Sequence, residues 1–188
     1  MSAVLKLPNK LSIEAYLEHE QSSEIRHEYI GGDVYAMAGA SEQHNFISGN
    51  IFASLRQHLR GKGCKVFIND MKVKLWSQLH LFYYPDVMVA CDPEDNDRYF
   101  KSRPKVIVEV ISESTRNTDT REKLLTYFQI MSLEEYVLVE QDIMKVTIHR
   151  RSNSWLSEEY TGTDAVIHLH SLGFSMPLVE VYEGVSFV

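Results

Sequence analysis

The sequence has no segment typical of a membrane protein or a secreted protein. Its 188 residues include no run of about 18 apolar residues, the minimum that a membrane-spanning helix requires. The N-terminal segment MSAVLKLPNKLS lacks the apolar core of a signal peptide. We therefore expect a cytoplasmic protein without a membrane partner.

Cysteine is scarce. The chain has 2 cysteines, Cys64 and Cys91, and they form no CxxC pair. Each lies in or beside an apolar, strand-like run, so we expect two reduced, buried thiols, in keeping with a cytoplasmic protein. Neither has the histidine context of a catalytic nucleophile.

Positively charged residues are in the minority. The chain has 19 lysines and arginines against 26 aspartates and glutamates, which gives a formal charge of −7. This balance argues against a protein that coats nucleic acid, but it leaves room for an enzyme with a local basic groove. Three basic clusters fit either solvated surface or such a groove: Arg56, Arg60, Lys62 and Lys65; Lys72 and Lys74; and Lys101, Arg103 and Lys105.

Phosphate-binding glycine loops, repeats and linkers are also missing. Gly31-Gly32 is not followed by the later glycine and lysine of a P-loop, so it predicts a turn. With 44% hydrophobic residues the chain can form a sizeable core. Because no linker interrupts it, we expect a single domain over residues 1–188.

Hydrophobic periodicity predicts an α/β fold. Helices are expected after Ser12 and Ser41, which can cap them, and again from about Thr118 to Met131. Strands are predicted at RHEYIGGDVYAM (two, around the glycines), KVFIND, MKVKLW, LFYYPDVMVA, residues 105–111, EYVLVE, KVTIHR and WLSEEY. Residues 92–104 predict a loop. The expected architecture is a mixed β-sheet core flanked by helices, with an added β-hairpin region at the C-terminus.

One charged residue stands inside the most apolar strand, VIVEVI. Successive side chains of a strand face opposite sides, so Glu109 shares its side with Ile107 and Ile111. A lone carboxylate in such a place is costly unless it is paired, protonated or bound to a cation. The sequence therefore predicts a partner for Glu109.

Other polar residues can converge on Glu109. Asp86 stands at the entry to the strand DVMVA, and Asp119, Lys123 and Tyr127 follow one stripe of the next helix, spaced i, i+4 and i+8. Two convergent carboxylates suit a hard cation such as Mg²⁺, and a lysine beside them can polarise a water. The same residues also fit a plain salt bridge from Glu109 to Lys123, with Asp86 capping a turn.

These motifs resemble the Uma-two (Uma2) family of endonucleases, within the PD-(D/E)XK nuclease superfamily. The resemblance rests on RHEYIGGDVYAM, SEQHN, YPDVMVACD, VIVEVISEST, DTREKLLTY and EEYVLVEQD, which follow one another in the order and with the gaps typical of the family. It covers most of the chain and implies a restriction-endonuclease-like fold.

Carried over by position, the resemblance implies metal binding by Asp86 and Glu109, with the backbone carbonyl of Val110 as a third ligand. The motif lysine of the superfamily would stand at position 111, where this chain has Ile111. The family implies recovery of that lysine from the following helix, which here means Lys123.

The resemblance also implies a polar contribution from the N-terminal region. Glu28 and His44 fit the expected positions. Asp119 and Tyr127 are further accessory candidates, because they lie one turn on either side of Lys123 on the predicted helix.

We therefore predict an endonuclease that hydrolyses phosphodiester bonds in DNA with Mg²⁺ or Mn²⁺. The resemblance also implies a homodimer, so that two sites address two strands. The alternative is a catalytically inactive nucleic-acid- or protein-binding module that retains the nuclease fold, which the charge of −7 and Ile111 favour. A metal-dependent phosphohydrolase acting on a small nucleotide is a third hypothesis.

Two further groups of polar residues are set aside. His168 and His170 share a strand face but lack visible further ligands for a metal. Ser112, Ser114 and Thr115 follow the apolar strand and fit either a phosphate contact or a turn that caps the next helix.

Overall fold

The computed structural model describes residues 10–37, 39–76, 80–112, 116 and 118–187. A π-helical segment, Thr118–Lys123, runs directly into the third helix. The helices are α1 (Ile13–Ser22), α2 (Glu42–His58), α3 (Leu124–Tyr127) and α4 (Leu178–Val181). The strands are β1 (His27–Ile30), β2 (Asp33–Ala36), β3 (Lys65–Ile68), β4 (Lys72–Trp76), β5 (His80–Tyr83), β6 (Val87–Ala90), β7 (Phe100–Lys101), β8 (Pro104–Ile111), β9 (Glu135–Glu140), β10 (Lys145–Arg150), β11 (Ser157–Thr161), β12 (Val166–Leu169) and β13 (Phe174–Pro177).

The strands form two main sheets and a hairpin. The five-stranded sheet has the order β2-β1-β5-β4-β7, and the six-stranded sheet has the order β11-β10-β9-β8-β6-β3. Within the larger sheet, β8 pairs antiparallel with β6 and parallel with β9. Strands β12 and β13 pair as a separate hairpin near the C-terminus. The prediction of a mixed sheet core with helices and a C-terminal hairpin is confirmed.

Local signals start the N-terminal elements as predicted. The side chains of Ser12 and Ser41 accept hydrogen bonds from first-turn amides of α1 and α2, at 3.2 and 3.1 Å. Gly31 and Gly32 have positive φ angles of 56° and 102°, which a tight two-residue hairpin requires and which glycine adopts without steric cost.

The six-stranded sheet is buried on both faces. On one face, Val106 and Val108 of β8 pack in a core with α2 and the C-terminal hairpin. On the other face, Ile107 and Ile111 pack in a second core with residues of β4 and β5 from the smaller sheet. Strand alternation places Glu109 on this second face, so its side chain points towards the space between the two sheets.

The segment LFYYPDVMVA, predicted as one strand, is two strands in different sheets. β5 ends at Tyr83 in the smaller sheet, and β6 begins at Val87 in the larger one. Pro85 lies in the passage between them, where the backbone needs no ladder hydrogen bond from its nitrogen. Asp86 therefore lies immediately before the first residue of β6, next to the central strand β8 of the larger sheet.

The prediction of two reduced thiols is wrong. Cys64 and Cys91 form a disulfide, with their Cα atoms 4.0 Å apart. They stand one residue beyond the paired Lys65 and Ala90 of β3 and β6, so the strand register brings them face to face. The argument for a cytoplasmic location from free cysteines therefore fails, and that location stays a prediction, as does the single domain over residues 1–188. No helix within the described ranges is long and apolar enough to cross a bilayer.

Candidate active site

Glu109 lies at the centre of a buried polar cluster. It is 3% exposed and sits on the central strand β8, between strands β6 and β9. Its neighbours on the same face of the strand, Ile107 and Ile111, are buried in the apolar core. Between Ile107 and Ile111, the carboxylate of Glu109 is therefore the one charged side chain on the face of β8 that points to the smaller sheet.

Asp86 lies beside Glu109 because of the strand register. Val87 of β6 pairs with Val108 of β8, so one further step along both strands sets Asp86 opposite Glu109. Side chains opposite one another in an antiparallel pair lie close together on one face. The amide of Val110 donates a hydrogen bond of 2.6 Å to Oδ2 of Asp86, which fixes this carboxylate against β8.

The carbonyl of Val110 faces the same way as its amide. In a strand, the N–H and C=O of one residue point to the same side. Since the amide of Val110 meets Asp86, the carbonyl is directed to the Asp86 side of β8 as well. At the other oxygen of this carboxylate, Nε2 of His44 lies 2.8 Å from Oδ1, so Asp86 is held from α2 and from β8 together.

Lys123 lies among three carboxylates from three different elements. Its Nζ is 3.3 Å from Oε1 of Glu109, 3.2 Å from Oε1 of Glu28 on β1 and 3.2 Å from Oδ1 of Asp119. Lys123 and Asp119 both belong to the π-helical segment, a local structure that is frequent at functional sites. Lys123 is buried, with only 6% of this residue exposed.

Two tyrosines complete the surroundings of the lysine. The hydroxyl of Tyr127 donates a hydrogen bond of 2.9 Å to Oε1 of Glu109. Burial, together with that carboxylate, raises the pKa of Tyr127 well above its ordinary value, so the phenol keeps its proton and remains a donor. The ring of Tyr83 lies 5.5 Å from Nζ of Lys123, a distance at which a cation is attracted to an aromatic face.

The cluster has an excess of negative charge. Burial raises the pKa of Glu109 well above its ordinary value; Lys123 opposes this shift, while Asp119, Asp86 and Glu28 add to it. Burial also opposes the charge of Lys123, but the carboxylates of Glu109 and Glu28 outweigh it and raise the pKa of the lysine well above its ordinary value. With three carboxyl groups around one ammonium and Asp86 close to Glu109, the cluster favours the uptake of further positive charge, either a proton or a cation.

One carboxylate oxygen of the cluster lacks a hydrogen bond. Oδ1 of Asp119 is buried and, among the described residues, receives no well-directed donor, although Nζ of Lys123 lies 3.2 Å away. Buried acceptors in proteins are nearly always satisfied. An unsatisfied carboxylate oxygen among other carboxylates offers the kind of ligand that a hard divalent cation binds. The residues present therefore fit a Mg²⁺ or Mn²⁺ ion.

The structure brings together every residue predicted for the site. They come from five separate parts of the chain: Glu28, His44, Asp86, Glu109 with Val110, and Asp119 with Lys123 and Tyr127. Sequence reasoning missed Tyr83, because its contact with Lys123 depends on how the smaller sheet packs on the larger one. The hydroxyl of Tyr136, which donates to the backbone carbonyl of Asp119 at 3.1 Å, was missed for the same reason.

Other predicted candidates lie elsewhere. Lys101 is only 3% exposed, and its ammonium donates to the backbone carbonyls of Asp95, at 2.9 Å, and Asp97, so its assignment to solvated surface or a phosphate-binding groove is wrong. Ser114 and Thr115 lie outside the described residues.

The pair of histidines set aside earlier is not part of the cluster. The rings of His168 and His170 are 6.3 Å apart, and Nδ1 of His168 lies 2.8 Å from the hydroxyl of Ser175. Lys72 likewise differs from its prediction as solvated or groove-lining, because it is 7% exposed and donates to the hydroxyl of Tyr84 at 3.2 Å.

The mixed sheet flanked by helices is a restriction-endonuclease-like fold, with Glu109 on its central strand β8 and Asp86 at the entry to the adjacent strand β6. The chain belongs to the Uma2 family, described as "Putative restriction endonuclease", whose match extends over residues 13–179. The predicted family is thereby confirmed.

Relatives of similar length support this assignment. The chain is 33% identical to the uncharacterized protein slr1290 of Synechocystis sp., over 95% of this chain and 94% of that protein. It is 32% identical to the uncharacterized protein sll1609 of the same organism, over 84% and 91%. The crystal structure of a "putative nuclease belonging to DUF820" from Anabaena variabilis superimposes with a TM-score of 0.74 at 14% identity, covering 92% of this chain and 97% of that one, which shows a shared fold.

Proposed function

We propose that this protein is a metal-dependent DNA endonuclease that hydrolyses phosphodiester bonds. The observation that carries the proposal is the buried cluster in which Glu109, Glu28 and Asp119 surround the ammonium of Lys123, with Asp86 at the entry to the neighbouring strand β6. A structural salt bridge needs one carboxylate for one lysine. The surplus of carboxylates is better explained by a site that also receives a cation.

Asp86, Glu109 and the carbonyl of Val110 are the proposed ligands of Mg²⁺ or Mn²⁺. All three are oxygen donors, which these ions prefer, and the strand register sets Asp86 opposite Glu109. A bound ion would supply Lewis-acid stabilisation of the charge that develops on a phosphate.

The protein's own residues have separate tasks in this proposal. Lys123 stays protonated, since its carboxylate neighbours raise its pKa, and so it serves as a fixed positive charge that orients a water or a phosphate oxygen rather than as a general base. Tyr127 orients the carboxylate of Glu109 by its hydrogen bond. His44 orients Asp86 from α2.

DNA is the proposed substrate, and a homodimer is the proposed assembly. The family supports a nuclease. A net charge of −7 means that contacts with phosphates must come from local basic residues rather than from overall charge. Arg103 and Arg121 are exposed, and Lys105 is half-buried at the start of β8, so these three are candidates for such contacts. A dimer would set two sites against the two strands of a duplex.

The test is a cleavage assay with linear, branched, nicked and single-stranded DNA in the presence of Mn²⁺, using wild-type protein, Asp86→Asn and a control, Asp164→Asn. Asp164 is exposed in the turn before β12. We expect cleavage by the wild type and by Asp164→Asn, and its loss in Asp86→Asn. DNA binding without cleavage by any of the three would support the non-catalytic module, and hydrolysis of free nucleotides alone would support the small-molecule phosphohydrolase.

A further inference from the structure

A second group of potential metal ligands lies on the opposite face of β1. His19 and Glu20 stand in α1, and His27 begins β1; one ligand atom from each lies within 4.8 Å of the other two. Strand alternation turns His27 towards α1, whereas the next residue, Glu28, turns towards Lys123. The two groups are thus separated by the smaller sheet and share none of their side chains.

Two of the three side chains are already fixed in place. Oε1 of Glu20 lies 2.7 Å from Nδ1 of His27. The other oxygen, Oε2, accepts hydrogen bonds from the hydroxyl of Tyr84 at 2.6 Å and from the backbone amide of His27 at 3.3 Å. The hydroxyl of Tyr16 donates to the carbonyl of His27 at 2.7 Å, which fixes the backbone of that histidine. Partners of this kind orient metal ligands in known sites.

His19 supplies the movable third ligand. It is exposed at the end of α1, and its ring centre lies 5.5 Å from that of His27. In a tetrahedral zinc site with bonds of about 2.0–2.1 Å, ligand atoms are about 3.3 Å apart. An exposed side chain can close the remaining distance by a change of rotamer, without movement of α1 or β1.

We propose that His19, Glu20 and His27 form a Zn²⁺ site whose fourth position is open to water. Two imidazole nitrogens and one carboxylate oxygen make a donor set that zinc favours, whereas Mg²⁺ and Ca²⁺ favour oxygen donors alone. Glu20 has its side chain 1% exposed and supplies the negative charge that offsets the ion. Lys72 donates a hydrogen bond to the hydroxyl of Tyr84, which in turn donates to Oε2 of Glu20. The lysine therefore offsets part of the negative charge of Glu20 without contacting Oε1.

The role of such an ion would be to attach α1 to the smaller sheet. Glu20 is near the end of the helix, and His27 begins the strand that carries Glu28 into the buried cluster. The inference is independent of the proposed nuclease activity, because none of its ligands belongs to the proposed catalytic group.

Zinc titration of chelator-treated protein tests the site, by calorimetry and by thermal unfolding. We expect one zinc per chain and, at a hundredfold excess over Kd, a rise in Tm of about 5–10 °C. His19→Ala should weaken binding at least about tenfold without lowering the Tm of the metal-free protein, since His19 is exposed. His19→Cys should restore binding, and its Co²⁺ complex should gain a thiolate charge-transfer band that the wild-type complex lacks.

Two matched variants locate the zinc. His168→Ala removes an exposed histidine of the other histidine pair, and Glu109→Gln alters the buried cluster; both should bind zinc like the wild type. Equal affinity of His19→Ala and the wild type would overturn the proposal, and so would a loss of zinc confined to His168→Ala or to Glu109→Gln.

Discussion

Replacing Glu109 with glutamine should stabilise the metal-free protein, by an amount that grows with pH. The amide keeps the shape of the side chain and can still accept the hydrogen bond from Tyr127. Lys123 keeps the carboxylates of Glu28 and Asp119, each 3.2 Å away, so no buried cation is left without a partner. The substitution therefore removes little except the cost of burying a negative charge.

The sign of the pH dependence follows from the direction of the pKa shift. Burial raises the pKa of Glu109 in the folded protein well above its ordinary value of 4.5. A carboxyl group with a raised folded pKa contributes stability below its unfolded pKa, and this contribution is lost as the pH rises towards the folded pKa. One proton changes the free energy of unfolding by at most about 1.4 kcal/mol per pH unit, which is about 3–5 °C in Tm for a chain of this size.

Thermal unfolding with a chelator, between about pH 4 and pH 8, measures the effect. The difference in Tm between Glu109→Gln and wild type should be small below about pH 4.5 and should increase above it. A pH-independent difference would refute the reasoning. Addition of Mg²⁺ should raise the Tm of the wild type and leave that of the variant nearly unchanged, since the proposed ligand is missing.

Glu135→Gln is a matched control with the opposite expectation. Glu135 is another buried carboxylate, 2% exposed, on the neighbouring strand β9. It accepts hydrogen bonds from Nε of Arg150 at 3.1 Å and from the backbone amides of His170 and Ser171. Its negative charge therefore has a positively charged partner and hydrogen-bond donors. Its replacement should lower stability by roughly 3–5 kcal/mol. A similar loss of stability in Glu109→Gln would show that Glu109 is a structural ion-pair partner of Lys123.

Three further predictions concern other parts of the chain. Lys123→Met should retain metal binding while turnover falls by about 10² or more, the scale of losing one electrostatic group; full activity in single-turnover kinetics would remove Lys123 from the mechanism. Arg103→Gln with Lys105→Gln should flatten the log–log salt dependence of DNA binding by roughly one unit for each phosphate that is no longer bound, and an unchanged slope would assign both to solvated surface. Cys91→Ser should lower stability by about 3–4 kcal/mol, since the disulfide closes a loop of 27 residues, and alkylation of the unreduced wild type should leave its mass unchanged.

Features of the fold that depend on neighbouring residues were predictable from the sequence. The capping serines Ser12 and Ser41, the glycine turn and the alternation along β8 are local, and each was found where predicted. The convergence of Asp86 with Glu109 also followed, because their strands are successive members of the larger sheet and turn back on each other.

Features set by long-range packing were not predictable. The disulfide depends on the pairing of β3 with β6, and no local pattern reveals that register. The sequence places Lys101 at the surface, but in the folded loop its ammonium donates hydrogen bonds to two backbone carbonyls. The π-helical form of residues 118–123 also leaves no mark in hydrophobic periodicity. The contact between Asp119 and Lys123, by contrast, is an i, i+4 pair and agrees with the predicted helical stripe.

Lys123 is supplied by a helical segment and not by the strand that carries Glu109, which affects how related sequences should be compared. Position 111 holds an isoleucine that is 2% exposed and packed in the apolar core, while an ammonium from another element lies 3.3 Å from Glu109. The packing at position 111 and the positive charge beside Glu109 are therefore supplied by different elements of the chain. A sequence search that requires a lysine two residues after the glutamate would overlook this chain, although an ammonium lies 3.3 Å from Glu109. Relatives should therefore be compared by the positions of charged groups in the structure rather than by the spacing of residues in the sequence.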